Sequence, residues 1–242
     1  MRNKIIFVFL IVVILATACD KDDKSNLCQM TLTTQKSDVI IGVEGSGKIN
    51  IDWGDKTAIE VFSLLSGYLN EFTHSYSNSD FYTITITGSY VTTLFCQRQE
   101  IYELDVSRNP ELTKLYCGIN NMNSLDVSQN VALSVLCCHR NQLEEIDVSN
   151  NIELGIFICH SNRLSALDVR NSSKLNSLLC EQNLLTSEAL NDLFATLHDK
   201  SILGETKVVS IGFNSGTGRC DKSIAENKGW RVYSDEGYNI DP

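Results

Sequence analysis

The sequence holds nine cysteines but no Cys-x-x-Cys pair, so the spacing of a zinc ribbon is missing. Basic residues are the scarcer charge, 20 Lys and Arg against 30 Asp and Glu, a formal net charge of −10. Phosphate backbones demand Lys and Arg, which excludes nucleic acid as a partner. A transmembrane helix needs ~20 apolar residues, and the unbroken run Ile5–Leu15 has eleven. No lysine follows Gly216-Thr217-Gly218 as it would in a phosphate-binding loop, which leaves a turn. No cofactor motif is present, and no cofactor is expected.

What the chain does have is a repeat of 21 residues between about Leu94 and Leu185. One copy reads Leu112-x-x-Leu115-x-Cys117-x-x-Asn120-x-Met122-x-x-Leu125-Asp126-Val127-Ser128-x-Asn130, and further copies begin at Leu133, Leu154 and Leu175. Cysteines recur at Cys96, Cys117, Cys138, Cys159 and Cys180, asparagines at Asn120, Asn141, Asn162 and Asn183, and aspartates at Asp105, Asp126, Asp147 and Asp168. A period of this size means stacked supersecondary units that share one core and need capped ends. The Leu-x-x-Leu-x-Cys-x-x-Asn-x-Leu pattern is that of the leucine-rich repeat, with cysteine in the third apolar slot. The ladder cysteines are expected to be small buried apolar groups, since side chains on parallel rungs point the same way and cannot bridge. Cys28 and Cys220 lie at opposite ends and are not expected to pair. Each copy has two similar halves, which predicts two extended segments per coil. The asparagines are expected to turn the chain inside the coil by satisfying backbone groups. The aspartates are expected to accept backbone N–H bonds at a turn rather than to hold calcium.

The N-terminus has a basic start, Arg2 and Lys4, then the apolar run, then Ala16-Thr17-Ala18-Cys19. Small residues before a cysteine resemble the processing site of a bacterial lipoprotein signal. The resemblance implies removal of 1–18, a lipid on Cys19, a flexible tether over 19–26 and a mature charge of −10 − 2 = −12. Lys21-Asp22-Asp23 after the cysteine resembles an export signal of surface lipoproteins, which implies a lipid-anchored outer-membrane protein exposed at the cell surface.

Strand-like alternation fills residues 27–90, over Gln29–Thr34, Asp38–Val43 and Lys48–Trp53. Asp52-Trp53-Gly54-Asp55, then His74-Ser75-Tyr76, then Tyr82-Thr83-Ile84-Thr85 resemble a PKD-like, immunoglobulin-type sandwich. Trp53 and Tyr76 are large enough to fill the space between two sheets. Asp52 and Asp55 are read as turn formers, and His74 as a packed, hydrogen-bonded histidine. Lys56 stands where the family usually has glycine, so the turn after Asp55 is expected to differ.

After the repeats, Thr186-Ser187-Glu188 caps a helix with apolar residues at Leu190, Leu193, Phe194 and Leu197. A strand over Lys207–Phe213, a helix over Cys220–Lys228 ended by Gly229, and a strand at Arg231–Tyr233 follow. The expected fold is mainly β, with a small PKD-like sandwich (27–90), a leucine-rich-repeat solenoid (91–185) and an α/β C-terminal cap (186–242).

The outward letters that do not repeat carry the specificity. One column is Phe95, Tyr116, Cys137, Ile158 and Leu179; its neighbour is Gln97, Gly118, His139, His160 and Glu181. An apolar column on an outward face is expected to be exposed and to bind a partner, the alternative being a cover from a cap, a loop or a second copy. His139 and His160 lack a clear third ligand, so no metal site is expected. Cys137 with either histidine lacks a cleft and an oxyanion site, so no enzyme is expected. The expected ligand-binding set is Phe95, Gln97, Tyr116, His139, Ile158, His160, Leu179 and Glu181. Its expected partner is a protein. The alternatives are a glycan in a polysaccharide-uptake system, or a passive scaffold.

Overall fold

The structure is a computed structural model that describes residues 28–88, 90–199 and 206–234. Residues 1–26, read above as a lipoprotein signal, Cys19 and a tether, lie outside the described residues.

Six strands open the chain: β1 (Cys28–Thr34), β2 (Asp38–Gly45), β3 (Gly47–Asp52), β4 (Glu60–Leu64), β5 (Asn70–Ser75) and β6 (Tyr82–Gly88). Their alternation sorts side chains cleanly. In β1, Met30, Leu32 and Thr34 face the core, while Gln29, Thr31 and Thr33 face out. Trp53 and Tyr76 are buried, and the Tyr76 hydroxyl donates to the Trp53 carbonyl at 2.7 Å. His74 stacks on Trp53 and meets Asp55 through Nε2 at 2.8 Å. The Thr57 hydroxyl and N–H, with His74, hold the Asp55 carboxyl down at about 2 despite desolvation. Asp52 accepts the Gly54 N–H, as its turn reading requires. Lys56 takes the left-handed conformation itself, at φ 68°.

The next strands are β7 (Val91–Phe95), β8 (Ile101–Asp105), β9 (Lys114–Tyr116), β10 (Val135–Cys137), β11 (Ile156–Ile158) and β12 (Ser177–Leu179). After helix α1 (Ser187–Thr196) come β13 (Lys207–Ser210), helix α2 (Ser223–Glu226) and β14 (Trp230–Tyr233). Two sheets result. One has five strands in the order β4-β3-β6-β1-β8, and the other nine, β14-β13-β12-β11-β10-β9-β7-β2-β5.

The strand order joins what the sequence divides at residue 90. Strand β7 pairs antiparallel with β2 and parallel with β9. Strand β8 pairs antiparallel with β1 in the other sheet. The first coil of the solenoid therefore supplies one strand to each sheet of the sandwich. A single apolar cluster runs from Met30 to Trp230 through both parts. The sandwich thus shields the first solenoid rung from water, the role that a capping repeat plays at an open end.

Within each coil the expected inward set is buried, as at Leu112, Leu115, Cys117, Met122, Leu125 and Val127. The second extended segment is a strand only in β8; in the later coils it joins no ladder among the described residues. There the backbone finds other partners. The Asn130 side chain donates to the carbonyls of Val106 and Asn109, and Asn151 donates to those of Val127 and Asn130.

At the far end Thr186 caps α1 by accepting the Ala189 N–H. Leu190, Leu193 and Phe194 lie against the last rung. No basic residue stands in the last turn of α1, and Lys228 serves it from a distance, donating to the carbonyls of Phe194, Ala195 and Leu197. The second helix is shorter than its sequence pattern, one turn at Ser223–Glu226, with Gly229 in the left-handed conformation at φ 79°.

Candidate functional site

The outward side of the nine-stranded sheet carries three rows of side chains in register. The central row runs Gly42, Phe95, Tyr116, Cys137, Ile158, Leu179, Ser210, Tyr233. On one side lies Glu44, Thr93, Lys114, Val135, Ile156, Ser177, Val208 and Arg231. On the other, just past the strand ends, lie Gln97, Gly118, His139, His160 and Glu181. Strands ~4.8 Å apart put each residue in touch with its vertical neighbours.

Every residue of the expected set is on this face, but the exposure expected of it is not what the structure shows. Cys137, Ile158 and Leu179 are buried and form an apolar cluster separate from the main core, with Tyr116 and Val135 packed against it. Gln97, His139 and Glu181 are also buried. Only Phe95, Tyr116 and His160 remain half-buried, with Phe95 and Tyr116 in ring contact at 5.3 Å. The column is therefore covered over most of its length, and its open part is the end next to the sandwich.

His139 has a seat made by the rung below. A Cβ placed on Gly118 would lie 2.4 Å from the His139 ring, so glycine is the residue that lets the imidazole lie over the backbone. His160 stacks on His139 at 4.7 Å, and its Nδ1 meets the Ser161 hydroxyl at 3.1 Å. Among the described residues, no group of three or more His, Cys, Asp or Glu could hold a metal ion. Burial pushes the Cys137 thiol up to about 12, far from the thiolate that nucleophilic chemistry needs. The ladder thiols of Cys117 and Cys159 are pushed up for the same reason. All eight described cysteines are free, Cys28 and Cys220 included. Burial also raises the Glu181 carboxyl, against an opposing pull from the Ser210 hydroxyl.

The repeated letters do structural work. The Asn141 side chain accepts the Met122 N–H and donates to the carbonyls of Cys117 and Cys138. Asn120, Asn162 and Asn183 repeat this, and Asn214 continues it into the cap by accepting the N–H groups of Asn183 and Leu185. Asp105, Asp126, Asp147 and Asp168 each accept the N–H two residues on. That hydrogen bond is the main reason the carboxyls of Asp126 and Asp147 sit below their ordinary value. For Asp168 the Arg170 side chain is the larger cause.

Sequence reasoning missed the turn between β4 and β5. Leu69 reaches over Gly42: a Cβ there would meet Leu69 at 2.9 Å and Phe95 at 3.0 Å. Leu69 thus extends the central row, and its turn exposes Leu65, Tyr68 and Leu69 at 66%, 68% and 41%. No period links these residues to the repeats. The available signal was an apolar cluster, Leu64-Leu65-Ser66-Gly67-Tyr68-Leu69, in a segment with no strand alternation.

The fold and face define a capped β-solenoid with leucine-rich repeats, fused at its N-terminal end to a β-sandwich. No family model matches the chain, and no curated protein does. Among solved structures it is similar to the functional domain of InlJ from Listeria monocytogenes, described as including a cysteine ladder, with 32% identity and a TM-score of 0.45. The match covers 59% of this chain and 34% of that one, so the chain spans about a third of the neighbour's length.

Proposed function

We propose that this chain is a lipid-anchored surface protein that recognises a protein ligand through the outward face of its nine-stranded sheet. The observation that carries this reading is the apolar strip Leu69–Phe95–Tyr116, which opens to solvent at Leu65, Tyr68 and Leu69. Large apolar side chains gathered at one exposed edge, on a rigid sheet, mark an interaction site. The N-terminal sandwich is the PKD-like module that its motifs resemble. The inward and turn-forming letters of the repeats leave the face free to vary.

Surface-exposed proteins of host or neighbouring cells, captured on the immobilised chain, test the reading. Tyr68→Asp with Leu69→Asp should cut capture at least ~10-fold, the loss of a hot-spot pair, without changing the melting temperature. Equal capture by both forms would remove this edge as the site. The anchor is tested separately: Cys19→Ala should abolish lipid labelling and release the chain from the membrane fraction.

A glycan ligand is the second reading. It is favoured by Phe81 and Tyr102, exposed at 58% and 36% and in edge-to-face contact at 5.1 Å on the sandwich. Polysaccharide retention lost in Phe81→Ala but kept in the Tyr68/Leu69 variant would put this reading first.

A further inference from the structure

Strand β5 ends the nine-stranded sheet, and its outer edge is open. It pairs with β2 over six residues, with no shift in register. The Tyr76 N–H donates to the carbonyl of Ser37 directly opposite. Bonded and non-bonded pairs alternate along an antiparallel ladder, so His74, Phe72 and Asn70 also turn their backbone groups to β2. Ser75, Thr73 and Glu71 turn theirs away. The Ile40 N–H, which points away from β5 to Gln99 Oε1, agrees with this phase. Among the described residues, nothing pairs with the outer backbone row of Glu71, Thr73 and Ser75, and all three residues are exposed. Folded proteins guard such edges with charge, proline or a bulge. The only charge on this row is Glu71, and β5 has neither proline nor bulge.

The surroundings define what the edge accepts. Glu71 stands opposite Gly42 and so continues the central row of Phe95 and Tyr116 outward. Tyr68 and Leu69 come directly before β5, exposed at 68% and 41%, and Leu69 leans over Gly42. Neither β2 nor β5 holds a lysine or arginine, while Asp38 and Glu44 share the outward side with Glu71. We infer that the protein ligand docks as an extended, basic strand added to β5. Its main chain bonds the outer row, a lysine or arginine meets Glu71, and an apolar side chain two residues along packs on Tyr68 and Leu69. The inference rests on the recognition reading for its site and adds the shape and charge of the partner. A second copy of this chain fits less well. The two-fold register that joins the outer rows sets Thr73 against Thr73 and Glu71 against Ser75. Ser75 binds Asp38 at 2.7 Å, so that register brings acid toward acid.

The probe is the fluorescent peptide Lys-Thr-Val-Thr-Val-Lys-Val-Leu-Val-Lys, titrated into the full chain at ~150 mM salt, where exposed charges are screened beyond ~8 Å. Its second lysine is placed for Glu71 and its leucine for Leu69. Changing that lysine to glutamate should weaken binding at least tenfold. Methylating the backbone nitrogens of the threonines and that lysine should do the same, whereas methylating those of the valines, on the far edge, should not. Thr73→Pro removes an N–H from the open edge without touching β2 and should also weaken binding at least tenfold. Glu71→Lys should reverse the preference between the lysine and glutamate peptides. Absent binding, equal binding of the two methylated peptides, or a preference unchanged in Glu71→Lys overturns the inference. So does a sedimentation mass that halves in Thr73→Pro, because a second copy would then hold the edge. Should Thr73→Pro lower the melting temperature, the methylated peptides and Glu71→Lys decide. Capture of surface proteins is measured separately. Capture lost in the Tyr68/Leu69 variant but unchanged in Thr73→Pro and Glu71→Lys overturns strand addition and leaves the recognition reading standing.

Discussion

Three residues show how local chemistry sets this molecule. Gly118 is needed because the His139 ring occupies the space of its missing side chain. Gly118→Ala should cost about 1–3 kcal/mol, the range for overpacking. Gly155→Ala, whose new methyl meets nothing nearer than 3.7 Å, should be close to neutral by the same denaturant titration. Lys56 holds φ at 68° where a glycine would sit without strain. Lys56→Gly should stabilise the chain by up to ~1 kcal/mol, the left-handed penalty less glycine's entropy cost. Glu181 is a carboxyl raised by burial from an ordinary value near 4.5. The folded state then binds its proton more tightly, so its contribution is favourable below the unfolded value and is lost as pH rises through the folded one. Glu181→Gln should raise the melting temperature at pH 7 by ~2–4 °C, and this gain should vanish near pH 4. A gain that persists in acid would mean that charge is not its cause.

At the scale of elements, the repeat was legible because its letters answer to the backbone. Each ladder asparagine follows a residue in the left-handed conformation: Ile119, Arg140, Ser161, Gln182 and Phe213 have φ between 50° and 59°. The turn leaves buried N–H and C=O groups that only a side-chain amide at that position can reach. Asn141→Ala strands the Met122 N–H and the carbonyls of Cys117 and Cys138. It should cost about 2–4 kcal/mol, because each buried group left without a partner costs ~1–3 kcal/mol. The exposed Asn123→Ala should stay within ~0.5 kcal/mol. The second half of each coil repeats as regularly as the first, yet only β8 joins a ladder, because only it meets a partner strand in β1. That pairing depends on residues some seventy positions away, which no local pattern encodes. The outward column was misread for a related reason. Its position on the face follows from alternation, but alternation does not say whether the face is covered.

For the whole molecule, the sheet that runs from β5 to β14 is the central feature. Motifs divide the chain into sandwich, solenoid and cap, while β7 and β8 bind the first two into one core. The described residues should therefore unfold in a single cooperative transition, with fluorescence of Trp53 in the sandwich and Trp230 in the cap reporting one midpoint when each is measured alone. Two midpoints would separate the modules. The same continuity places Leu69, from the sandwich, in line with Tyr116, from the solenoid, and makes one apolar edge from two modules. The most direct test of that edge is a photo-crosslinking amino acid placed at Tyr68, and in a second protein at the exposed Glu144 on the solenoid, each used on cells that display the chain. Discrete adducts at position 68 and none at 144 are predicted. The same adducts from both positions, or none from 68, would contradict recognition through this face.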